Sequence, residues 1–359
     1  MGFQESLQNA AANIKAAEGR KAIVVEKLRK LRQKELPESR EFFEKEFVKK
    51  VKTAELDSRI AGVDSGFVGQ ELFSTDLLLI RAVAAVFDYK KGKLEKAQYY
   101  PQGFSFPEPF FSSNSLERDE FACNVSIQRI IKEVQAAADV IEKFSPKYCF
   151  MDGSLLPQHA DKPRASSKVK KNFDAMLEKV QELYAKALEK ECTLIGCVED
   201  SRGNRWNGIL EKELDAESLE EYHDAVLLND LLEKGERSFC FSYAKSAHEH
   251  PILNEFAKEW QDSIFALYLK PTQYDFPLRV EFLNPKNGNP ALKADEAASM
   301  ALAQSSMHRE YAFPAVLIEA DLRAGLKPEE INLVRDKIVD KIGKNSFILK
   351  RRDRRPFAK

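Results

Sequence analysis

Two carboxylates in matching settings raise the question of chemistry. Asp64 lies in Arg59-Ile60-Ala61-Gly62-Val63-Asp64-Ser65-Gly66, and Asp152 in Tyr148-Cys149-Phe150-Met151-Asp152-Gly153-Ser154. Each apolar run drives into one aspartate and then meets Ser and Gly, which reads as a buried strand ending on the carboxylate and followed by a turn. One such aspartate would merely begin a turn, a common place for Asp. Two ask for a shared reason. A carboxylate at the end of a core strand is costly to desolvate unless something pairs with it. A divalent cation held by both would do so, because hard cations take oxygen ligands. Glu133, inside an apolar helical stripe, is a third candidate, although the plain reading places it exposed at the stripe's border. Asp64, Glu133 and Asp152 together can hold one or two Mg²⁺ or Mn²⁺ ions. Such ions activate water and stabilise the charge that builds on a phosphodiester during in-line attack. No serine nucleophile or Cys–His pairing is signalled. The five histidines at 159, 223, 248, 250 and 308 lack the spacing of a metal site, and His248 and His250 read as exposed.

The elements that must position these groups follow from periodicity. After the strand ending at Asp64, the run from Asp76 to Phe87 is apolar enough for a central strand. Leu94 to Tyr100 alternates like an antiparallel neighbour. An aromatic loop over 101–113 leads to a helix over 115–144, the strand 147–152, a helix over 168–191 and a strand over 192–198. That order describes a mixed α/β sheet with a right-handed crossover. If strands 59–64 and 147–152 are neighbours, both aspartates emerge at one sheet edge. Upstream, residues 1–36 read as a long helix and 38–51 as a second, with Phe42, Phe43 and Phe47 on one side. Downstream come a helix over 216–234, strands near 237–244, 263–270 and 277–283, and helices near 293–307, 315–325 and 328–342. The expected organisation is a helical N-terminal extension (1–56), a main α/β domain (57–345) and a basic tail (346–359). Lys350-Arg351-Arg352-Asp353-Arg354-Arg355 in that tail can track a phosphate backbone or stay solvated.

Composition sets wider bounds. Apolar content of 43% and charged content of 31% describe an ordinary globular chain. The 56 basic and 57 acidic residues nearly cancel, which neither demands nor excludes nucleic acid. Cys123, Cys149, Cys192, Cys197 and Cys240 form no CxxC pair and read as thiols in a reducing compartment, not as a zinc site. No apolar signal region and no run of membrane length is present, so a cytoplasmic protein is expected, with no membrane partner.

The motifs in order resemble the NurA nuclease family. They are Gly62-Val63-Asp64-Ser65-Gly66, Arg129-x-x-x-Glu133-x-x-x-Ala137, Met151-Asp152-Gly153-Ser154-Leu155, Ile195-Gly196-Cys197-Val198-Glu199-Asp200-Ser201 and Phe313-Pro314-x-x-Leu317-x-x-Ala320-Asp321. The resemblance covers residues 58–325. It implies an RNase H-like core, a mixed sheet flanked by helices, and Mn²⁺-dependent (or Mg²⁺-dependent) 5′–3′ exonuclease and endonuclease activity on DNA. It further implies a homodimer that threads DNA and works with a HerA-like hexameric ATPase in DNA end resection and double-strand break repair. Asp64, Glu133 and Asp152 correspond to the metal ligands, with Glu117, Glu120 and Glu142 as neighbouring alternatives to Glu133. The chain departs from the family at Phe313 and Asp321, where Tyr and His are usual, and at Glu199, where Lys is frequent. Asp321 can add a fourth carboxylate, and Tyr311 or His308 can stand in for the missing groups. These departures keep a second reading open, a catalytically impaired scaffold docking on a HerA-like motor. A third is an actin-like phosphotransferase with Asp64-Ser65-Gly66 and Asp152-Gly153-Ser154 as phosphate loops; the absence of any Gly-Gly pair speaks against it.

Overall fold

Runs of β-branched and helix-forming sequence resolve into eleven strands and eight α-helices among the described residues. A computed structural model describes residues 2–32, 35–112, 115–214, 219, 221–342 and 350. In chain order these are α1 (Phe3–Leu31), β1 (Val48–Lys50), β2 (Arg59–Glu71), β3 (Asp76–Lys90), β4 (Lys93–Tyr100), β5 (Glu108–Phe111), α2 (Arg118–Phe144) and β6 (Tyr148–Asp152). There follow α3 (Lys170–Glu189), β7 (Thr193–Val198), α4 (Arg205–Leu214), α5 (Asp224–Leu231), β8 (Glu236–Ser238), β9 (Phe241–Ser242) and β10 (Ile264–Lys270). Then come β11 (Leu278–Leu283), α6 (Pro290–Ser305), α7 (Ala315–Ala324) and α8 (Pro328–Ile342). The chain divides into two compact units, one of residues 1–54, 197–245 and 262–314, the other of residues 55–196, 246–261 and 315–359.

The second unit carries both aspartate motifs. Its strands run in the order β7-β6-β2-β3-β4, with β5 added on β3. β2, β3 and β4 are antiparallel, while β6 joins β2 in parallel, pairing Ile60 with Tyr148 and Val63 with Met151. This is the mixed sheet of an RNase H-like core. Leu77, Leu78, Leu79, Ile80, Val83, Ala84, Ala85 and Val86 are all buried, so β3 is covered on both faces, as its unbroken apolar run requires. Helices α2 and α7 both pack on β2 and β3, and α3 packs on α2. The expected aromatic loop contributes β5, whose Phe110 pairs with Leu78.

One expectation fails at the first motif. β2 does not stop at Asp64 but continues to Glu71, paired with β3 over its whole length. Ser65 and Gly66 are strand residues there, not a turn. At the second motif the strand ends on Asp152, and Gly153 turns the chain with φ +95.

The first unit is built on an antiparallel array β1-β8-β10-β11, with β9 also on β10. Val24, Val25 and Leu28 of α1 join Trp206, Phe239, Phe241 and Tyr268 in its core. The helix expected over 38–51 is absent. That segment is extended, forming β1 and a bridge from Phe42 to Phe241. Phe42 and Phe47 are buried while Phe43 is 37% exposed, and Glu44 Oε2 accepts bonds from buried Arg237 (2.7 Å) and the Cys240 N–H (2.7 Å). Pairing with Arg237 and the strand edge outweighs helix propensity. The helix expected over 216–234 is shorter, α5, and the strand expected near 237–244 is split into β8 and β9; residues 215–218 and 220 of that stretch lie outside the described residues, as does the basic tail except Lys350. None of the five cysteines is in a disulfide, and four of them are buried. Among the described residues no helix is long and apolar enough to cross a membrane.

Candidate active site

Side chains alternate across a strand, and the glycines of β2 reveal which face is which. A Cβ on Gly62 would lie 2.8 Å from the Val316 backbone, and one on Gly66 2.3 Å from the Ala324 carbonyl oxygen. Gly62, Asp64 and Gly66 therefore share the face on which α7 lies, and the missing side chains let that helix approach the strand backbone. A Cβ on Gly69 would meet the Phe121 ring of α2, so Ser65 and Gly69 share the opposite, α2 face. Buried Arg81, opposite Gly66 in the ladder, secures the end of α7. Its Nη1 donates to the Gly325 carbonyl (2.9 Å), its Nη2 to Glu330 Oε1 (2.5 Å) and its Nε to the Ser105 carbonyl (2.6 Å).

Asp64 is the hub of four carboxyl groups. Burial pushes it above the usual carboxylate range. The Ser65 backbone N–H, the Arg129 charge and a hydrogen bond with Asp152 act in the opposite direction, while the charge of Asp321 on α7 adds to the rise. The parallel register carries Asp152 alongside Asp64. Glu133 approaches from α2. Burial pushes it up to about 7, with the Asp64 charge adding to the rise and Arg129 and Ser65 opposing it. Its Oε2 accepts Ser65 Oγ–H (2.6 Å) and Arg129 Nη1–H (2.9 Å). The Ser65 bond lies on the α2 face of β2.

The structure thus brings Asp64 and Asp152 into contact and sets Asp321 and Glu133 within electrostatic reach of Asp64. Glu133 is buried, not exposed at a stripe's border. The alternatives on its helix are engaged elsewhere or exposed. Glu142 bonds Lys186 and Lys190 at the surface, Glu120 accepts from Ser167 and the Lys168 N–H, and Glu117 is exposed. Among the described residues no group of three or more His, Cys, Asp or Glu stands in an arrangement that would itself grip a metal ion. The pair is close; the other two carboxyls are farther, and Glu133 Oε2 is committed to Arg129 and Ser65. The donor set nonetheless suits a hard divalent cation, being all oxygen, and two carboxyls in contact, Asp64 buried and Asp152 half-buried, need a proton or a cation between them.

Sequence patterns did not single out Ser65, Arg81 and the packing role of Gly62 and Gly66. The available signal was a lone Arg inside an apolar strand. His250, expected to be exposed, is half-buried, and its Nδ1 accepts the N–H groups of Ile252 and Leu253 (both 3.2 Å). Within the first unit, Tyr311 Oη–H donates to Glu199 Oε1 (2.6 Å), and His308 Nδ1 accepts the Glu310 and Tyr311 N–H groups. Phe313 is buried.

Comparison with known proteins agrees with this architecture. The NurA domain family model matches residues 58–303, more than half of the chain. No curated protein sequence matches it. The fold is similar to the crystal structure of the NurA nuclease from Sulfolobus solfataricus, with a TM-score of 0.58 and 13% identity over 96% of this chain and 99% of that one. It is also similar to a structure of NurA with manganese, with a TM-score of 0.51 and 11% identity over 83% and 91% of the two chains. A further NurA structure gives a TM-score of 0.51 and 10% identity over 98% and 100%.

Proposed function

The chain belongs to the NurA family, and on that premise we propose that it is a divalent-metal-dependent nuclease hydrolysing DNA phosphodiester bonds. The observation that carries this reading is the contact between buried Asp64 and half-buried Asp152, with Asp321 and buried Glu133 acting on Asp64 through their charge. The manganese in the similar NurA structure supports Mn²⁺ as the ion, with Mg²⁺ as the alternative. In this reading Asp64 and Asp152 hold the cation and Asp321 adds negative charge from α7. A bound cation would supply positive charge for the phosphate oxygens and acidify a water molecule. Glu133, held by Ser65 and Arg129, is the group assigned to taking or giving a proton. Arg129 holds the Glu133 carboxylate in place and presents a cation beside the phosphate path.

The finer reading extends to 5′–3′ exonuclease and endonuclease action, a homodimer, and work with a HerA-like hexameric ATPase at DNA ends in the cytoplasm. It treats 57–345 as the nuclease domain, 1–56 as its extension and 346–359 as a basic tail. The test is cleavage of 5′- and 3′-labelled single- and double-stranded DNA with Mn²⁺, Mg²⁺ or EDTA. Cleavage with metal, lost in EDTA and in Asp64→Ala and Asp152→Ala, is expected. Cleavage unchanged in both variants overturns the site, and a wild-type chain inert in every metal favours the scaffold reading.

A further inference from the structure

One cation already stands among the carboxyl groups of the candidate site. A cavity of about 80 Å³ lies between α2, α3 and the end of β6. Glu133, Asp152 and Asp161 line it, and among the described residues that do so Arg129 alone is cationic. Asp161 is satisfied by its own segment and by α2: its Oδ1 accepts Ser126 Oγ–H (2.6 Å) and its Oδ2 the Gln158 N–H (2.7 Å). The acids that share the cavity with Arg129 and belong to the proposed chemistry are therefore Glu133 and Asp152.

Arg129 and Glu133 are four residues apart on α2, the spacing at which helix side chains meet. Arg129 Nη1 donates to Glu133 Oε2 (2.9 Å). The Glu133 side chain is 8% exposed and that of Arg129 29%, so the carboxylate is shielded from water while the guanidinium keeps an outlet to it. The charge of Arg129 also reaches Asp64, where it acts against the effect of burial. One guanidinium thus offsets the charge of two acids in the cluster. A divalent ion held by Asp64 and Asp152 would add positive charge to the same shielded place, and like charges repel most where water is scarce. Such coupling is reciprocal: what the ion costs the Arg129 contact, Arg129 costs the ion. We propose that Arg129 is a counter-ion built into the carboxyl cluster, that it competes with the divalent cation for these acids, and that it thereby sets the ion concentration at which the site fills. The proposal rests on the metal site of the nuclease reading and adds to it a residue that weakens metal binding.

The experiment is calorimetric titration of the full chain with Mn²⁺, at fixed pH and ionic strength because both change metal affinity. The binding event read is the one lost in Asp152→Ala. Arg129→Gln is expected to bind Mn²⁺ at least about fivefold more tightly than the wild type. Arg129→Met keeps an apolar stem and a good helix former; it carries the same expectation and serves if Arg129→Gln does not fold. Arg129→Lys keeps the charge and should stay within about twofold of the wild type. Lys132→Gln removes an equal charge from the same helix, but that ammonium pairs with Glu108 (2.8 Å), so the same limit applies. An arginine needed only for the fold would give unchanged or weaker binding on removal, and that result overturns the proposal. Tightening as large in Arg129→Lys or Lys132→Gln overturns it too, because a local charge at 129 would not be the cause, and so does a wild-type chain without that binding event. No DNA is present in these titrations. A chain whose variants tighten as expected but that cleaves no DNA sinks only the nuclease reading. One that cleaves DNA with metal while Arg129→Gln and Arg129→Met leave the affinity unchanged sinks only the counter-ion.

Discussion

The two aspartate motifs look alike on paper and are built differently. At Asp152 the small residues make a turn: Gly153 takes a positive φ of +95, a Cβ there would meet nothing within 4 Å, and Ser154 Oγ accepts the Leu156 N–H (3.2 Å). At Asp64 the small residues make a contact surface. Gly62 and Gly66 have no positive φ; they leave room for α7, and Ser65 Oγ bonds Glu133 on the far face. One glycine is required for backbone conformation, the other two for distance between a helix and a strand. The lesson is that a Gly beside a carboxylate says the side chain must be small without saying why. The difference also assigns partners. Asp64, mid-strand with its side chain on the α7 face, feels the charges of Asp321 on α7 and Arg129 on α2, whereas Asp152 sits at a strand end beside it.

The largest effect is expected where the motifs act together: Asp64→Ala and Asp152→Ala should each lower metal-dependent DNA cleavage at least about a hundredfold, with near-wild-type circular dichroism. A large loss in only one of them would mean that the two carboxylates do not share an ion. Next is Gly66→Ala, whose Cβ would be forced to 2.3 Å from the Ala324 carbonyl. Backbone must move, so a loss of roughly 3 kcal/mol is expected in chemical denaturation, together with lower activity as α7 and Asp321 shift.

A pH dependence is expected from Glu133, which bonds Ser65 beside Asp64. Glu133 has a folded-state value of about 7 against an ordinary 4.5. Between these values the folded chain holds a proton that the unfolded chain has lost. Stability of the metal-free protein should therefore fall as pH rises from 4.5 to 7, by up to about 3 kcal/mol from this group, and level off above. Melting temperatures in EDTA across that range measure it, and Glu133→Gln should flatten the slope. A slope of the opposite sign, unchanged in Glu133→Gln, removes the buried-acid assignment. The smallest effect is expected from Gly153→Ala, which meets no neighbour but must hold an unfavourable φ, at about 1 kcal/mol. If it proves costlier than Gly66→Ala, the roles assigned to the two glycine settings are reversed.

Much of this protein was legible in one dimension. The order of strands and helices in the second unit, the central placement of Asp76–Phe87, the meeting of Asp64 with Asp152 and the family all follow from apolar periods and short motifs, because burial imposes a period on the chain. Other features were decided only by tertiary packing. Residues 38–51 are extended because Glu44 reaches Arg237 and β1 has a strand to pair with. β2 runs past Asp64 because β3 offers it a partner as far as Glu71. Glu133 is buried because Ser65 and Arg129 meet it, and the charge of Asp321 reaches Asp64 because two glycines admit α7. The reason is common to all four: a local pattern records which residues must avoid water, but what covers them is supplied by segments far away along the chain.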